Sequence, residues 1–288
     1  MSRLQRAVAK AEQEGLLAWT GRQPASQRPT TEDAAPPPNR HGSHDVGPVW
    51  TPGIEAPESD SPDRGTLSPL FVAATQPTSS AAEQYRLLRT RVEGRDRGRR
   101  AQLLLVTSPG AGDGKTTTSA NLALTIAQDY SRSVVLVEAD LRRPTLAGLC
   151  GIAPEQGLVD VLVGAVSLEE ALVQLPGQNL FVLPAGQATS RSTELLGSSM
   201  MARLIDTLRT RFDRIVVDSP PVTLADTHVL ARLADGVLIV VRAGVTSRPA
   251  LEHALEGVER ERITGLVLND VDLSVGTYPG AYAWTAGA

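Results

Sequence analysis

The sequence contains one cysteine among its 288 residues, Cys150, so an internal disulfide is excluded and a reducing compartment is expected. Aromatic residues make up only 3% of the chain, and the core must therefore be built from aliphatic side chains. No apolar run approaches the roughly 18 residues of a membrane span, and the charged N-terminus lacks the apolar segment of a signal peptide. A formal net charge of −4 gives no support to nucleic-acid binding. These absences favour a cytoplasmic protein that reaches a membrane only through a partner.

Composition divides the chain into four zones. Residues 1–20 are predicted to form a short amphipathic helix, because five apolar residues fall roughly on one face. Residues 21–66 hold nine of the 20 prolines, and we expect a disordered linker there. Residues 67–272 have the composition of a globular domain, and residues 273–288 form a short tail that we expect to be mobile. The apolar residues of the predicted helix are Leu4, Val8, Ala11, Leu16 and Leu17.

Apolar runs of strand length alternate with segments of helical spacing in the globular zone. Because the strands are apolar on both faces and are followed by helices, we predict an α/β fold. Its sheet should be doubly wound and mostly parallel, with helices on both faces. Ligands of such sheets bind at the carboxyl ends of the strands. The predicted strands are Leu103–Val106, Val134–Val137, Leu180–Leu183, Ile215–Val217, Val237–Val241 and Leu266–Leu268, and the predicted helices cover 116–128, 158–174, 193–211, 225–233 and 248–262.

The stretch TSPGAGDGKTTTSANLALTIA, residues 107–127, joins the first core strand to a helix. Its glycines allow backbone amides to crowd around an anion, and the helix adds its N-terminal dipole. The stretch fits the P-loop pattern G-x-x-x-x-G-K-[ST], except that Pro109 stands in place of the first glycine of the pattern. In this pattern Lys115 reaches phosphates and Thr116 offers a hydroxyl to Mg²⁺. The alternative is a Gly-rich turn with a chance lysine. The predicted nucleotide-binding residues of this loop are Gly110, Ala111, Gly112, Asp113, Gly114, Lys115, Thr116 and Thr117.

Carboxylates end two of the other apolar strands. VVLVEADLRRP places Glu138 and Asp140 after one strand, and RIVVDSPP places Asp218 after another. Mg²⁺ needs hard oxygen ligands beyond one threonine, and three strand ends that converge on one loop suit phosphoryl transfer. We therefore predict Thr116, Asp140 and Asp218 as metal ligands, with Glu138 and Asp140 as candidates to hold the metal or orient a nucleophile. For any one acid alone, helix capping or a solvated turn is the alternative.

The segments SPGAGDGKTTTSANLA, VVLVEADLRRP and FDRIVVDSPPV together resemble the three motifs of the bacterial tyrosine kinases of capsule and exopolysaccharide synthesis. That family has a P-loop fold related to the partitioning and septum-site ATPases, and the resemblance runs from Pro69 to Asp272. It implies an ATP- and Mg²⁺-dependent kinase that phosphorylates tyrosines near the C-terminus of a neighbouring subunit. It also implies activation by a transmembrane chain-length-determining adaptor, here a separate protein, and a peripheral location at the inner membrane.

The functional residues of that family carry over onto this chain with one departure. The matching phosphate, metal and acidic positions are Lys115, Thr116, Asp140 and Asp218. Glu138 stands where the family usually has an aspartate that is thought to help activate the incoming tyrosine hydroxyl. Its extra methylene would displace such a base by about 1 Å, a shift that can cost on the order of 100-fold in rate. Asn269 falls where relatives often contact the adenine.

Two further segments bear on the branch of the family and on assembly. The partitioning ATPases carry a signature lysine five residues before the P-loop lysine, where this chain has Gly110, and this favours the kinase branch. The segment EQYRLLR resembles the ExxRxxR oligomerisation motif of the kinases. Glu83, Arg86 and Arg89 would share one helix face, which we expect to contact a neighbouring subunit in a homo-oligomer. A solvated charged helix is the alternative.

Tyr278 and Tyr282 lie in the segment VGTYPGAYAW and are the candidate phosphoacceptors. The family's tail usually carries a denser tyrosine cluster, and chance tyrosines at a fraying end are the alternative. The leading hypothesis is a protein-tyrosine autokinase that regulates polysaccharide polymerisation and export. Two alternatives stay open at this point: a non-kinase P-loop ATPase, and a nucleotide-binding regulatory subunit of a polysaccharide assembly complex.

Overall fold

The computed structural model describes residues 17–21, 67–95, 102–129 and 132–271. Most of the predicted N-terminal helix, the predicted linker and the tail with both candidate phosphoacceptors lie outside these ranges. The predicted domain boundaries therefore stay predictions. Within the described ranges, no helix has both the length and the apolar character needed to cross a bilayer.

One mostly parallel sheet forms the centre of the described chain. Its strands are β1 (Leu17–Gly21), β2 (Leu103–Thr107), β3 (Val134–Glu138), β4 (Val173–Gln174), β5 (Leu180–Leu183), β6 (Arg214–Asp218), β7 (Gly236–Arg242) and β8 (Ile263–Val271). They lie in the order β1-β8-β7-β2-β6-β3-β5-β4. Among these described strands, β4 alone pairs antiparallel, with β5, and the other pairs are parallel. The predicted α/β class with a mostly parallel sheet is confirmed.

Helices cover both faces of this sheet. They are α1 (Val72–Thr75), α2 (Ser80–Arg95), α3 (Lys115–Ala127), α4 (Leu146–Leu149), α5 (Leu158–Leu162), α6 (Leu168–Ala171), α7 (Ser192–Leu196), α8 (Ser199–Arg211), α9 (Ala225–Leu233) and α10 (Arg248–Glu256), with a 3₁₀ turn at Arg260–Arg262. Helices α1 to α4 bury residues in one hydrophobic cluster, and α5 to α10 bury residues in the other. Leu103 and Leu105 of β2 join the second of these clusters, whereas Leu104 and Val106 join the first. This alternation is the doubly wound arrangement that the apolar strands predicted.

The predicted N-terminal helix is wrong for its last residues. Leu17–Gly21 form the strand β1, which pairs in parallel with β8 and places Leu17 opposite Leu266 and Trp19 opposite Leu268. The pattern LAWTG suits either a helix face or a strand. The free edge of the nine-residue strand β8 selects the strand, because backbone groups on a sheet edge need hydrogen-bond partners.

Two of the predicted long helices are divided by local turns, and a third, 248–262, ends at Glu256 before a 3₁₀ turn at Arg260–Arg262. The segment 158–174 contains α5, α6 and β4, because the chain turns after α5 at Gly164, whose φ is +75°. The segment 193–211 contains α7 and α8, because the Ser198 side chain caps the start of α8. In both cases a cap or a left-handed glycine interrupts an apolar pattern that would otherwise fit a longer helix.

The sheet brings the ends of β2, β3 and β6 together at its carboxyl edge. Strand β6 lies between the other two, and Asp218 at its end pairs with Val106 of β2 on one side and with Glu138 of β3 on the other. The Gly-rich loop follows β2, and the DLRRP segment follows β3. The sequence motifs that we assigned to three separate strand ends therefore lie side by side.

Candidate nucleotide-binding and phosphoryl-transfer site

The loop of residues 108–114 connects β2 to α3 and depends on two glycines for its shape. Gly112 and Gly114 have φ values of +81° and +94°, which are left-handed conformations that favour glycine. A Cβ atom on Gly114 would also lie 1.9 Å from the side-chain nitrogen of Asn269. Helix α3 begins at Lys115 directly after this turn, so its N-terminus faces the loop as the anion cradle requires.

Asp113 braces this loop from within. Its carboxylate accepts hydrogen bonds from the Gly110 amide and from the Thr246 hydroxyl, both at 2.8 Å. Its backbone carbonyl accepts a third bond, at 3.0 Å, from the side-chain amide of Asn269. Gly110 and Asn269, two residues that we predicted as nucleotide contacts, are thus both bonded to a third, Asp113, and the direct contacts of all three with nucleotide stay predictions. Thr246, the fourth residue of this network, stands in no sequence motif and was not predicted.

The side chain of Lys115 reaches the tip of β3. Its ammonium nitrogen lies 3.4 Å from Oδ2 of Asp140, and the two side chains are only 11% and 9% exposed. The other carboxylate oxygen of Asp140 accepts a bond from the Arg143 amide at 3.2 Å, which fixes the orientation of the carboxylate. The structure therefore brings together the predicted phosphate-binding lysine and the predicted second acid.

Asp218 is the most enclosed acid of the site. Its Oδ1 accepts a hydrogen bond from the Ser119 hydroxyl at 3.2 Å, while Oδ2 is buried without a hydrogen-bond partner. Burial raises the pKa of Asp218 to about 7, although the Lys115 ammonium and the hydroxyls of Thr116 and Ser119 favour the ionised form. A buried oxygen without a partner is costly, so this atom is suited to a cation or to water bound to a cation.

The oxygen atoms at this edge fit a Mg²⁺ ion that is shared with phosphate. Asp218 offers the unpartnered Oδ2, Thr116 offers a hydroxyl in the first turn of α3, and Asp140 offers a carboxylate. All are hard oxygen donors of the kind that Mg²⁺ prefers. Within the described ranges, no group of three or more His, Cys, Asp or Glu side chains could hold a metal ion alone. The chain would therefore need phosphate oxygens and waters to complete the shell.

Glu138 makes a different set of contacts from the other two acids. Its Oε1 accepts hydrogen bonds from the amides of Thr145 and Leu146 at 2.5 and 2.6 Å, and its Oε2 accepts one from the Ala185 amide at 3.1 Å. Burial raises the pKa of Glu138, although these three amides favour the ionised form. The structure places Glu138 beside Asp218, as the motifs predicted, but with its carboxylate turned to backbone donors. Its role in catalysis stays a prediction.

Two neighbours of these acids were not predicted from the sequence. The hydroxyl oxygen of Thr145 lies 3.5 Å from that of Thr116. Arg142 donates from Nε at 2.8 Å to Asp226, a fully buried carboxylate that also accepts a bond from the Ser192 hydroxyl at 2.8 Å. These contacts join residues that are far apart in sequence. Neither Thr145 nor Asp226 stands in a sequence pattern that indicates its partner.

The predicted oligomerisation residues lie on α2 and have partners within the chain. Arg86 pairs with Glu83 at 2.7 Å, and Arg89 donates to the backbone carbonyl of Thr125 in α3 at 2.9 Å. Arg89 therefore ties α2 to the helix that follows the P-loop. Contact of these residues with a neighbouring subunit stays a prediction.

Residues 103–264 match the family described as an AAA domain. The chain is 33% identical over 214 residues to tyrosine-protein kinase YwqD of Bacillus subtilis (strain 168), which covers 73% of this chain and 90% of that protein. It is 32% identical over 200 residues to tyrosine-protein kinase CpsD of Streptococcus agalactiae serotype III (strain NEM316), which covers 68% of this chain and 85% of the relative.

Solved structures agree with these sequence matches. The crystal structure of the chimerical protein CapA2B2 has a TM-score of 0.67 at 26% identity and covers 73% of this chain and 95% of its own. The kinase domain of VpsO has a TM-score of 0.60 at 32% identity and covers 66% of this chain and 96% of its own. The resemblance that the three motifs suggested is confirmed, and this chain belongs to the P-loop family of bacterial tyrosine kinases.

Proposed function

We propose that this chain is an ATP- and Mg²⁺-dependent protein-tyrosine kinase that transfers the γ-phosphoryl group to tyrosines of a neighbouring copy. The observation that carries the proposal is the convergence of Lys115 and Thr116 with Asp140 and Asp218 at one edge of the sheet, where Lys115 lies 3.4 Å from Asp140. The relatives YwqD and CpsD are named tyrosine-protein kinases, which supports a tyrosine hydroxyl rather than water as the acceptor.

Phosphoryl transfer requires positioning and charge neutralisation more than covalent participation by the protein. The bond between the γ-phosphorus and the bridging oxygen breaks, the tyrosine oxygen forms a new bond to that phosphorus, and the tyrosine proton leaves to a base or to solvent. The Lys115 ammonium would leave its ion pair with Asp140 and pair with phosphate oxygens, and the amides of the loop would surround the same oxygens. Thr116, Asp140 and Asp218 would hold Mg²⁺, which when bound neutralises phosphate charge.

The proposed acceptors are Tyr278 and Tyr282 in the segment that follows β8. Because β8 and β2 run in the same direction in the sheet, β8 ends at the edge where the P-loop lies. Asn269, near that end, contacts Asp113 of the P-loop at 3.0 Å. The described chain therefore ends close to the site, which supports the proposal that the following residues serve the same site of another copy. Each phosphate would add about −1.5 to −2 charge, and repulsion between copies would favour their release.

We further propose a role in polysaccharide polymerisation and export, as a homo-oligomer held at the inner membrane by a separate transmembrane adaptor. One relative, at 33% identity over 214 residues, is the succinoglycan biosynthesis transport protein ExoP of Rhizobium meliloti (strain 1021). The match covers 27% of that relative, so most of ExoP lies outside it. The match lies within a longer transport protein of succinoglycan biosynthesis, which supports the proposed role in polysaccharide export.

The test is to incubate purified full-length protein with Mg²⁺ and ATP, with and without the cytoplasmic end of the adaptor, and to map phosphotyrosine by mass spectrometry. Label on Tyr278 or Tyr282 is expected. It should fall by at least about 100-fold in Lys115→Met, because the phosphate charge loses its main counter-charge. Lys10→Met is the matched control, since Lys10 is the other lysine of the sequence and belongs to none of the site motifs.

The other outcomes separate the rival functions. Phosphate release from ATP without label on the protein would replace the kinase with a P-loop ATPase. Tight binding of nucleotide with neither product would make the chain a regulatory subunit. Label that persists in Lys115→Met would show that the phosphotyrosine came from a contaminating kinase.

A further inference from the structure

Three backbone amides from two separate loops converge on the carboxylate of Glu138. Its Oε1 accepts from Thr145 at 2.5 Å and from Leu146 at 2.6 Å, at the start of α4. Its Oε2 accepts at 3.1 Å from Ala185, which follows β5. A single side chain therefore ties the loop after β3 to the end of the neighbouring strand β5.

The loop after β3 is also held along its length by two other carboxylates. Asp140 accepts a bond from the Arg143 amide at 3.2 Å, and Asp226 accepts one from the Arg142 side chain at 2.8 Å. Glu138 fixes the far end of the same loop. The segment from residue 140 to residue 146 is thus anchored near its start, in its middle and at its end.

The anchored loop presents two side chains to the start of α3. At its beginning, Asp140 lies 3.4 Å from the Lys115 ammonium. At its end, the Thr145 hydroxyl lies 3.5 Å from that of Thr116. Both partners belong to the P-loop motif, so the position of this loop sets the distance between the β3 side of the site and the groups that hold phosphate and metal.

We propose that Glu138 is a positioning residue, which fixes the loop carrying Asp140 and Thr145 against the start of α3, and that it is not the base for the tyrosine hydroxyl. The inference rests on the kinase function proposed above. A base must come within about 2.6–3.2 Å of the hydroxyl that it deprotonates. Both oxygens of Glu138 are occupied by N–H donors, and the residue is only 1% exposed.

This role also accounts for the length of the Glu138 side chain. The amides of Thr145 and Ala185 lie on different loops, and the two oxygens of Glu138 bridge them. Shortening the side chain by one methylene would withdraw the carboxylate by about 1 Å. The buried amides would then lose their acceptor. Gln keeps the length and one acceptor oxygen, but sets an NH₂ group against one of the amides.

Two substitutions at this position therefore separate positioning from base catalysis. If Glu138 positions the loop, Glu138→Asp should be the more harmful change and Glu138→Gln the milder one. If Glu138 were the base, the order would reverse, because Asp keeps a base and Gln does not. Glu155→Asp, at an exposed position, is the matched control for the loss of one methylene.

Three measurements on the full-length protein follow each variant. Hydrogen exchange reports the amides of Thr145, Leu146 and Ala185. Titration with a non-hydrolysable ATP analogue and Mg²⁺ reports binding, and phosphotyrosine formation at saturating ATP reports the chemical step. In Glu138→Asp we expect faster exchange at these amides and binding weakened about 10- to 100-fold, as for other residues that orient metal ligands. In Glu138→Gln we expect phosphotransfer within about tenfold of the native rate, with a rise in KM.

If Glu138→Gln abolishes phosphotransfer with exchange and binding unchanged, while Glu138→Asp keeps the native rate, Glu138 is the base and the proposal is overturned. Should Glu138→Asp fail to fold, the Gln variant alone still decides through its rate and its KM. If the native protein makes no phosphotyrosine, the kinase proposal fails, whereas exchange and analogue binding still test the loop.

Discussion

Replacing Asp218 by asparagine should stabilise the metal-free protein at alkaline pH while removing its response to magnesium. Asp218 is fully buried, and its Oδ2 has no hydrogen-bond partner. Burial raises its pKa to about 7 from the ordinary 3.8. Between these values the unfolded chain has lost the proton and the folded chain keeps it. Stability therefore falls as pH rises through this window and stays lower above it.

The size of the effect follows from that pKa difference. A change from 3.8 to about 7 corresponds to roughly 4 kcal/mol of unfolding free energy lost between about pH 4 and pH 8. Asparagine carries no charge and its oxygen can still accept from Ser119. Its NH₂ group, however, would take the place of the unpartnered Oδ2 and cost about 1–3 kcal/mol. We therefore expect Asp218→Asn to gain about 1–3 kcal/mol over the native protein at about pH 8 and nothing near pH 5.

The assay is urea denaturation in chelator at several pH values between about 5 and 8. Asp206→Asn, at an exposed position of α8, controls for the loss of one surface charge. Addition of Mg²⁺ with a non-hydrolysable ATP analogue should then stabilise the native protein and leave Asp218→Asn nearly unchanged. A native unfolding free energy that is flat across this range, with Asp218→Asn no more stable than Asp206→Asn, would refute the reasoning.

Two further predictions concern the P-loop and the cysteine. Gly114→Ala places a Cβ 1.9 Å from the Asn269 side chain at a φ of +94°, so the affinity for the ATP analogue, measured by calorimetry, should weaken at least about 100-fold. Adding Asn269→Ala to this variant should recover part of the lost affinity. Native affinity in Gly114→Ala alone would contradict the clash. Cys150 is buried, and burial together with the negative charges of Glu138 and Asp218 raises its pKa to about 12. Iodoacetamide at about pH 8 should therefore modify the thiol only after denaturation. Rapid labelling of the native protein would be evidence against this burial.

The fold was predictable from the sequence because each core strand is buried on both faces. Runs such as LLLV in β2 and VVLV in β3 are apolar throughout, which is typical of a parallel sheet covered on both sides. Short-range features were harder to predict. The left-handed turn at Gly164 divides a segment with helical spacing, and the strand at Leu17–Gly21 depends on the free edge of β8, which lies more than 200 positions further along the chain.

The candidate site was predictable where chemistry concentrates in local motifs and not where it depends on distant contacts. Lys115 follows the loop after β2 and Asp218 ends β6, and the carboxyl ends of parallel strands lie at the same edge of a sheet. The brace from Thr246 to Asp113 spans 133 positions, and an isolated threonine carries no signal of it. The contacts of Glu138 were equally hidden, because its partners are backbone amides, which have no sequence signature.

The pairing of β1 with β8 has a practical consequence for recombinant work. A protein shortened to start at residue 67 would keep the P-loop and the three acids at the ends of β3 and β6, yet would lose the five residues that cover β8. One side of β8 would then expose backbone donors and acceptors along an uncapped border of the sheet. Such borders recruit strands from other molecules, so the shortened protein should self-associate into aggregates more readily than the intact chain.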